Sequence, residues 1–139
     1  MNKIIECQVV TPKSVFSGKQ GLSYVVGISK ETVGSSHLHM QLARIPAMSQ
    51  GKAHKHLDHE TAIYALSGKT WVRFGVNLEK ELEVPEGSFL YIPAGVPHLP
   101  YNKSEYIAQV IIARSDPNEQ ESVIMLPELD CDFILKFRD

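Results

Sequence analysis

Three histidines and two carboxylates crowd into the stretch Ala53-His54-Lys55-His56-Leu57-Asp58-His59-Glu60, and a further imidazole, His98, follows well downstream. The chain has 6 histidines in all, so half of them fall in this one short stretch. Alternate residues of a strand share a face, so His54 and His56 can enter one cavity together. His59 or Glu60 can add a third donor after a short irregular step. Convergent nitrogen and oxygen donors of this kind bind transition metals, and imidazole suits zinc, iron, manganese, nickel and copper alike. The expected cofactor is one divalent transition metal per chain, its identity left open. The bland alternative is a set of solvated surface histidines beside a turn.

The surroundings of His98 weigh against that alternative. Gly87, Pro93, Gly95, His98 and Asn102 fill every specified position of the pattern G-x5-P-x-G-x2-H-x3-N. This is the second motif of the cupin superfamily. The first, G-x5-H-x-H-x3/4-E-x6-G, is met more loosely: His54, His56 and Glu60 fit, but Gly51 lies too close to His54, and Gly68 comes one residue late. With both motifs in order between Gly51 and Asn102, the chain resembles a small single-domain member of the RmlC-like cupin superfamily. The resemblance implies an all-β fold, an antiparallel jelly-roll or cupin barrel with at most one short C-terminal helical turn. It further implies a metal inside the barrel, held at His54, His56, Glu60 and His98, and a homodimer paired through outer sheet faces.

The late glycine reopens one ligand. Counted back from Gly68, the usual glutamate position falls on Thr61. By alternation His59, Thr61, Ile63 and Ala65 share one face, while Glu60, Ala62 and Tyr64 share the other. An unbroken strand therefore sends His59 inward, and a bulge would restore Glu60. The first case is a four-histidine site, His54, His56, His59 and His98, similar in ligand set to the zinc cupins among polyketide cyclases. Tyr64, Tyr91, Tyr101 and Gln109 are candidate pocket groups.

Composition narrows the function classes. The chain has 139 residues, 43% apolar and 22% charged, an ordinary balance for one globular domain spanning residues 1–139. Net charge is −2 and no basic run follows phosphates, which disfavours nucleic-acid binding. No apolar run reaches membrane-spanning length and no signal-peptide pattern opens the chain. Cys7 and Cys131 lack metal-type spacing and read as reduced thiols of a cytoplasmic protein.

The elements that must carry the site are strands. Ile4 to Val10 and Leu22 to Ile28 read as the first two, with a polar connection from Ser29 to Ser36. In His37 to Ile45 the side chains of Leu38, Met40 and Leu42 alternate with those of His37, His39 and Gln41; either the polar set enters the pocket beside the metal, or the apolar set lies in the core, which base rates favour. Thr61–Leu66 and Thr70–Val76 form a hairpin around Ser67-Gly68, with Arg73 expected outside. Pro93, Gly95 and Pro97 shape a turn that holds His98 rigid, and Asn102 is expected to bond the turn backbone. Glu105 to Arg114 is a long apolar strand with Gln109 embedded in it. Asp116-Pro117-Asn118-Glu119 has the form of a helix start, and the apolar tail from Leu129 must cover this barrel or a partner.

An open metal site suits an enzyme acting on a small oxygenated substrate, as isomerase, cyclase or dioxygenase. The other readings are a non-catalytic small-ligand binder or sensor, and a barrel without metal.

Overall fold

The computed structural model describes residues 6–12, 16–17, 22–118 and 122–137. Its strands are β1 (Phe16–Ser17), β2 (Ser23–Ile28), β3 (His39–Ile45), β4 (Ser49–Gln50), β5 (His54–His56), β6 (Thr61–Ser67), β7 (Thr70–Phe74), β8 (Lys80–Val84), β9 (Phe89–Ile92), β10 (His98–Asn102), β11 (Ala108–Arg114) and β12 (Val123–Met125). They form two antiparallel six-stranded sheets. One runs β1-β2-β3-β11-β6-β9; the other runs β12-β5-β10-β7-β8, with β4 also paired to β10. The non-sequential neighbours, β11 between β3 and β6 and β10 between β5 and β7, make this a jelly roll, the all-β class expected. Among the described residues no helix is long and apolar enough to cross a membrane.

Among the described residues three single helical turns interrupt the strands, where at most one was expected, at the C-terminal end. The first, α1 (Lys30–Val33), occupies the supposed polar connection. Its signal was present: Ser29 and Thr32 form a reciprocal capping box, and Gly34 closes the turn at φ 71°, a conformation glycine adopts without strain. The other two, Pro127–Leu129 and Leu135–Phe137, are 3₁₀ turns in the tail. The helix start expected at Asp116 is absent from the described part of that stretch, and Glu119 lies outside the described residues. Asp116 instead accepts the backbone N–H groups of Asn118 and Ser122. Residues 6–10 of the expected first strand are not in a strand, and residues 4–5 are outside the described set.

Between the sheets the inward residues of each strand pack together: Tyr24, Ala43, Ile45 and Val110 in one cluster, Ala65, Val72 and Val84 in another. A third cluster lies on the far side of β10, where Leu99 and Tyr101 alternate with His98. The tail covers it, with Ile134 fully buried and Leu126, Leu129 and Phe133 beside it. Gln50 clamps the tail by donating to the Cys131 carbonyl and accepting the Phe133 N–H, and Asp130 accepts the Ala53 N–H. The apolar tail thus covers its own barrel.

Strand β3 reverses its expected orientation. His39, Gln41, Ala43 and Ile45 are buried, whereas Leu38 and Met40 are 67% and 49% exposed. The inner row includes polar partners: His39 pairs in register with Arg114, and Arg114 with Thr61. All three are buried.

Candidate metal centre

Strand pairing brings the histidines together. His54 and His56 occupy alternate positions of β5, so their side chains share a face. His98 opens β10 directly opposite His54, and cross-strand partners project to the same side. The ring centroids of His54 and His98 are 4.3 Å apart, those of His54 and His56 5.0 Å, and those of His56 and His98 5.2 Å. One nitrogen from each of the three lies within 4.8 Å of the other two, and all three residues are buried.

Backbone carbonyls set the tautomers. His54 Nδ1–H donates to the Lys52 carbonyl at 2.6 Å, and His98 Nδ1–H to the Val96 carbonyl at 2.9 Å. A proton held on Nδ1 leaves Nε2 as the lone-pair donor, the state in which imidazole ligates a metal. The turn before His98 is tied to the same strand, since Gly95 (φ 81°) donates its N–H to the His56 carbonyl at 2.6 Å. The donor set therefore fits a transition metal in chemistry and in preorganisation.

His59 is buried, its ring 4.4 Å from that of His56, but it stands outside the convergent trio. Its Nδ1 lies 3.7 Å from an Asp116 oxygen. Burial alone would raise the Asp116 pKa; the N–H groups of Ser122 and Asn118, the Asn118 side chain and the His59 charge outweigh it and hold the carboxyl at about 2. Glu60 is exposed on the other face, where its carboxylate accepts the Tyr91 hydroxyl at 2.5 Å. That bond, with burial and the Glu60 charge adding to it, pushes the Tyr91 phenol above its ordinary value.

The trio borders a cavity of about 70 Å³ between the sheets, walled by Tyr24, Ile45, Ile63, Val72, Ile92, Val110 and other apolar residues. Its polar lining besides the histidines is Gln41, Thr61, Thr70 and Arg114. None of the four expected pocket groups lines it. Tyr64 stacks on the exposed Phe89 at 4.8 Å, outside the barrel. Tyr101 is buried under the tail, near Phe133. Gln109 precedes the inward Val110 at a register shift and is half-buried. Tyr91 borders an adjoining apolar pocket with Leu82, Leu90 and Val96 that reaches His98. Arg114 was missed, although counting by twos from Val110 through Ile112 leads to it. Arg73 packs over the Phe133 ring and donates to the Leu78 carbonyl. Asn102 ties the turn: its amide nitrogen donates to the carbonyls of Ile45 and Tyr106, and its oxygen accepts from Ser104.

The family model for the cupin domain matches residues 41–113, more than half of the chain. This chain is a cupin. No curated protein matches it. Solved structures share the fold at low identity. The cupin resembles an oxalate decarboxylase from Lactobacillus farciminis in a formate complex (TM-score 0.68, 16% identity, covering 81% of this chain and 33% of that one). It also resembles an oxalate decarboxylase from Bacillus subtilis studied for its Mn(II) centres (TM-score 0.65, 13% identity, covering 90% and 30%). A Klebsiella pneumoniae protein with a double-stranded β-helix domain matches over most of both chains (TM-score 0.64, 11% identity, 80% and 89%). The cupin spans about a third of the length of the oxalate decarboxylases.

Proposed function

We propose that this cupin holds one divalent transition metal on His54, His56 and His98, with His59 as fourth ligand, and acts as an enzyme on a small oxygenated substrate by isomerase, cyclase or dioxygenase chemistry. The observation that carries the reading is the buried trio of imidazoles, two of them locked by backbone carbonyls with Nε2 as the donor atom. A metal bound there would polarise a carbonyl or lower the pKa of a bound water. The chain's own contribution is to exclude bulk water with apolar walls and to orient the ligand through Gln41, Thr61, Thr70 and Arg114. Asp116, with a carboxylate oxygen 3.7 Å from His59 Nδ1, would orient that ring, as carboxylates do for ligating histidines. An all-imidazole set of this kind accepts zinc, iron, manganese, nickel or copper.

The test is metal content of protein purified without a nickel column. Near one equivalent per chain is expected, and less than about half an equivalent would overturn the reading. His98→Ala and His59→Ala should lose metal, and Glu60→Ala should keep it; loss in the glutamate variant alone would reverse the ligand assignment.

The protein is further proposed to be a homodimer, paired through the outer face of the β3-β11-β6-β9 sheet. Two rows of uncharged side chains cross that face in register, Leu42-Ile111-Tyr64-Phe89 and Met40-Ala113-Ala62-Tyr91. A cytoplasmic location fits its two exposed, unpaired cysteines.

A further inference from the structure

Two cavities meet at His98. The inner one lies between the sheets and carries Gln41, Thr61, Thr70 and Arg114 in its lining beside the histidines. The buried Thr61 hydroxyl has no hydrogen-bond partner in the protein, so it calls for an oxygen or nitrogen from a bound molecule or water. The outer cavity, about 120 Å³, is the larger and is bounded by β7, β8, β9 and the turn before His98. Val72, Leu90, Ile92 and His98 line both, so the two adjoin. Strand register explains the outer wall. Phe74 stands opposite His98, and Leu82 opposite Val72, and cross-strand partners project to the same side.

The outer cavity differs from the inner one in chemistry. The polar side chains in its lining are His98 and Tyr91, and the Tyr91 hydroxyl donates to Glu60 on the outer face of the sheet. Water in such a space finds few partners, where an ordered water takes two to four. An apolar group that displaces poorly held water gains affinity. Leu82, 47% exposed, stands where the cavity meets solvent. The volume of about 120 Å³ takes roughly eight to twelve water-sized atoms at 10–15 Å³ each. A small polar molecule would fill the inner cavity and leave the outer one to water. We infer that the site takes an amphipathic substrate, its oxygen-bearing head at the histidines and a hydrocarbon body in the outer cavity, with Phe74, Leu82 and Val96 setting the body it accepts. The head's placement rests on the function proposed above, whereas the hydrocarbon subsite acts without a metal.

The test is a chain-length series with one constant head, acetohydroxamate to octanohydroxamate, titrated calorimetrically into the zinc-loaded and the metal-free protein. Each methylene taken up by an apolar wall gives about a three- to four-fold gain. Octanohydroxamate should therefore bind zinc-loaded protein about 100-fold or more tighter than acetohydroxamate. Metal-free protein should bind both more weakly and still favour the longer chain by about ten-fold or more. Leu82→Glu sets a charge at the mouth, at a half-exposed position the fold tolerates. It should cut the chain-length gain about ten-fold and leave acetohydroxamate binding unchanged. Phe74→Ala widens the same cavity and should move the best chain length upward, a second readout on the wall. Equal binding of the two hydroxamates within about three-fold, or an unchanged gain in a folded Leu82→Glu protein, would each overturn the inference. Metal content of the same samples is read separately. Protein that takes up no zinc yet favours the long chain sinks the metal reading alone, and zinc-loaded protein indifferent to chain length sinks this inference alone.

Discussion

Asn102 and Asp116 show how single polar residues hold the site from outside it. Asn102 is fully buried and saturates both ends of its amide, bonding the carbonyls of Ile45 and Tyr106 and both donors of Ser104. Asn102→Ala would strand those groups, and unmet buried polar groups are costly, so a loss of about 2–4 kcal/mol is expected in urea unfolding. A loss below about 0.5 kcal/mol would mean that the turn is held by other bonds. Asp116 acts through pH. Its carboxyl is depressed from an ordinary 3.8 to about 2. The folded state therefore binds that proton less readily than the unfolded chain does, and the stabilisation is fully present above about pH 4. It is lost as pH falls from there toward 2. The melting temperature of the wild type should drop across that window more steeply than that of Asp116→Asn. Parallel curves would remove Asp116 from the account.

At the scale of elements, the tail and β10 form one unit. Ile134 fills the space over Leu99, Ala53 and Tyr101, on the face of β10 opposite His98. Ile134→Ala should cost about 2–5 kcal/mol, as other buried aliphatic truncations do, read as a shift of the urea midpoint. A negligible shift would mean that the tail is not docked in solution. The elements also show what alternation can tell a reader of sequence. It pairs His54 with His56 and groups His59 with Thr61 and Ile63, because period two is a property of the backbone. It cannot say which face of β3 is inside, because the period is the same whichever face is buried. The apolar-inward rule chose Leu38 and Met40, and the chain buries His39 and Gln41 instead. A polar inner row is stable here because its members bond one another, as His39 does Gln41. The motif around His98 was legible for a different reason: its prolines and glycine specify a backbone path directly. The tyrosines were not, since a tyrosine fits a wall, a surface or a tail contact equally well.

On the scale of the whole molecule, that inversion has a consequence for the outer face. With polar groups turned inward on β3, its apolar residues join those of β11, β6 and β9 on the outside. Phe89, Leu38 and Tyr91 are 80%, 67% and 59% exposed, and the registered rows make the patch continuous across four strands, roughly 15 Å at ordinary strand spacing. Monomers seldom leave such a patch open to water, and a flat sheet face presented by every copy suits a twofold, self-complementary contact. Light scattering behind a sizing column should give twice the chain mass at micromolar concentration. Phe89→Glu places a charge at the most exposed aromatic of the rows, where the monomer itself has little to lose. It should weaken the dimer by about 100-fold or more while leaving metal content intact. A wild-type protein of single-chain mass, or a Phe89→Glu protein as dimeric as the wild type, would show that this face is not the seam.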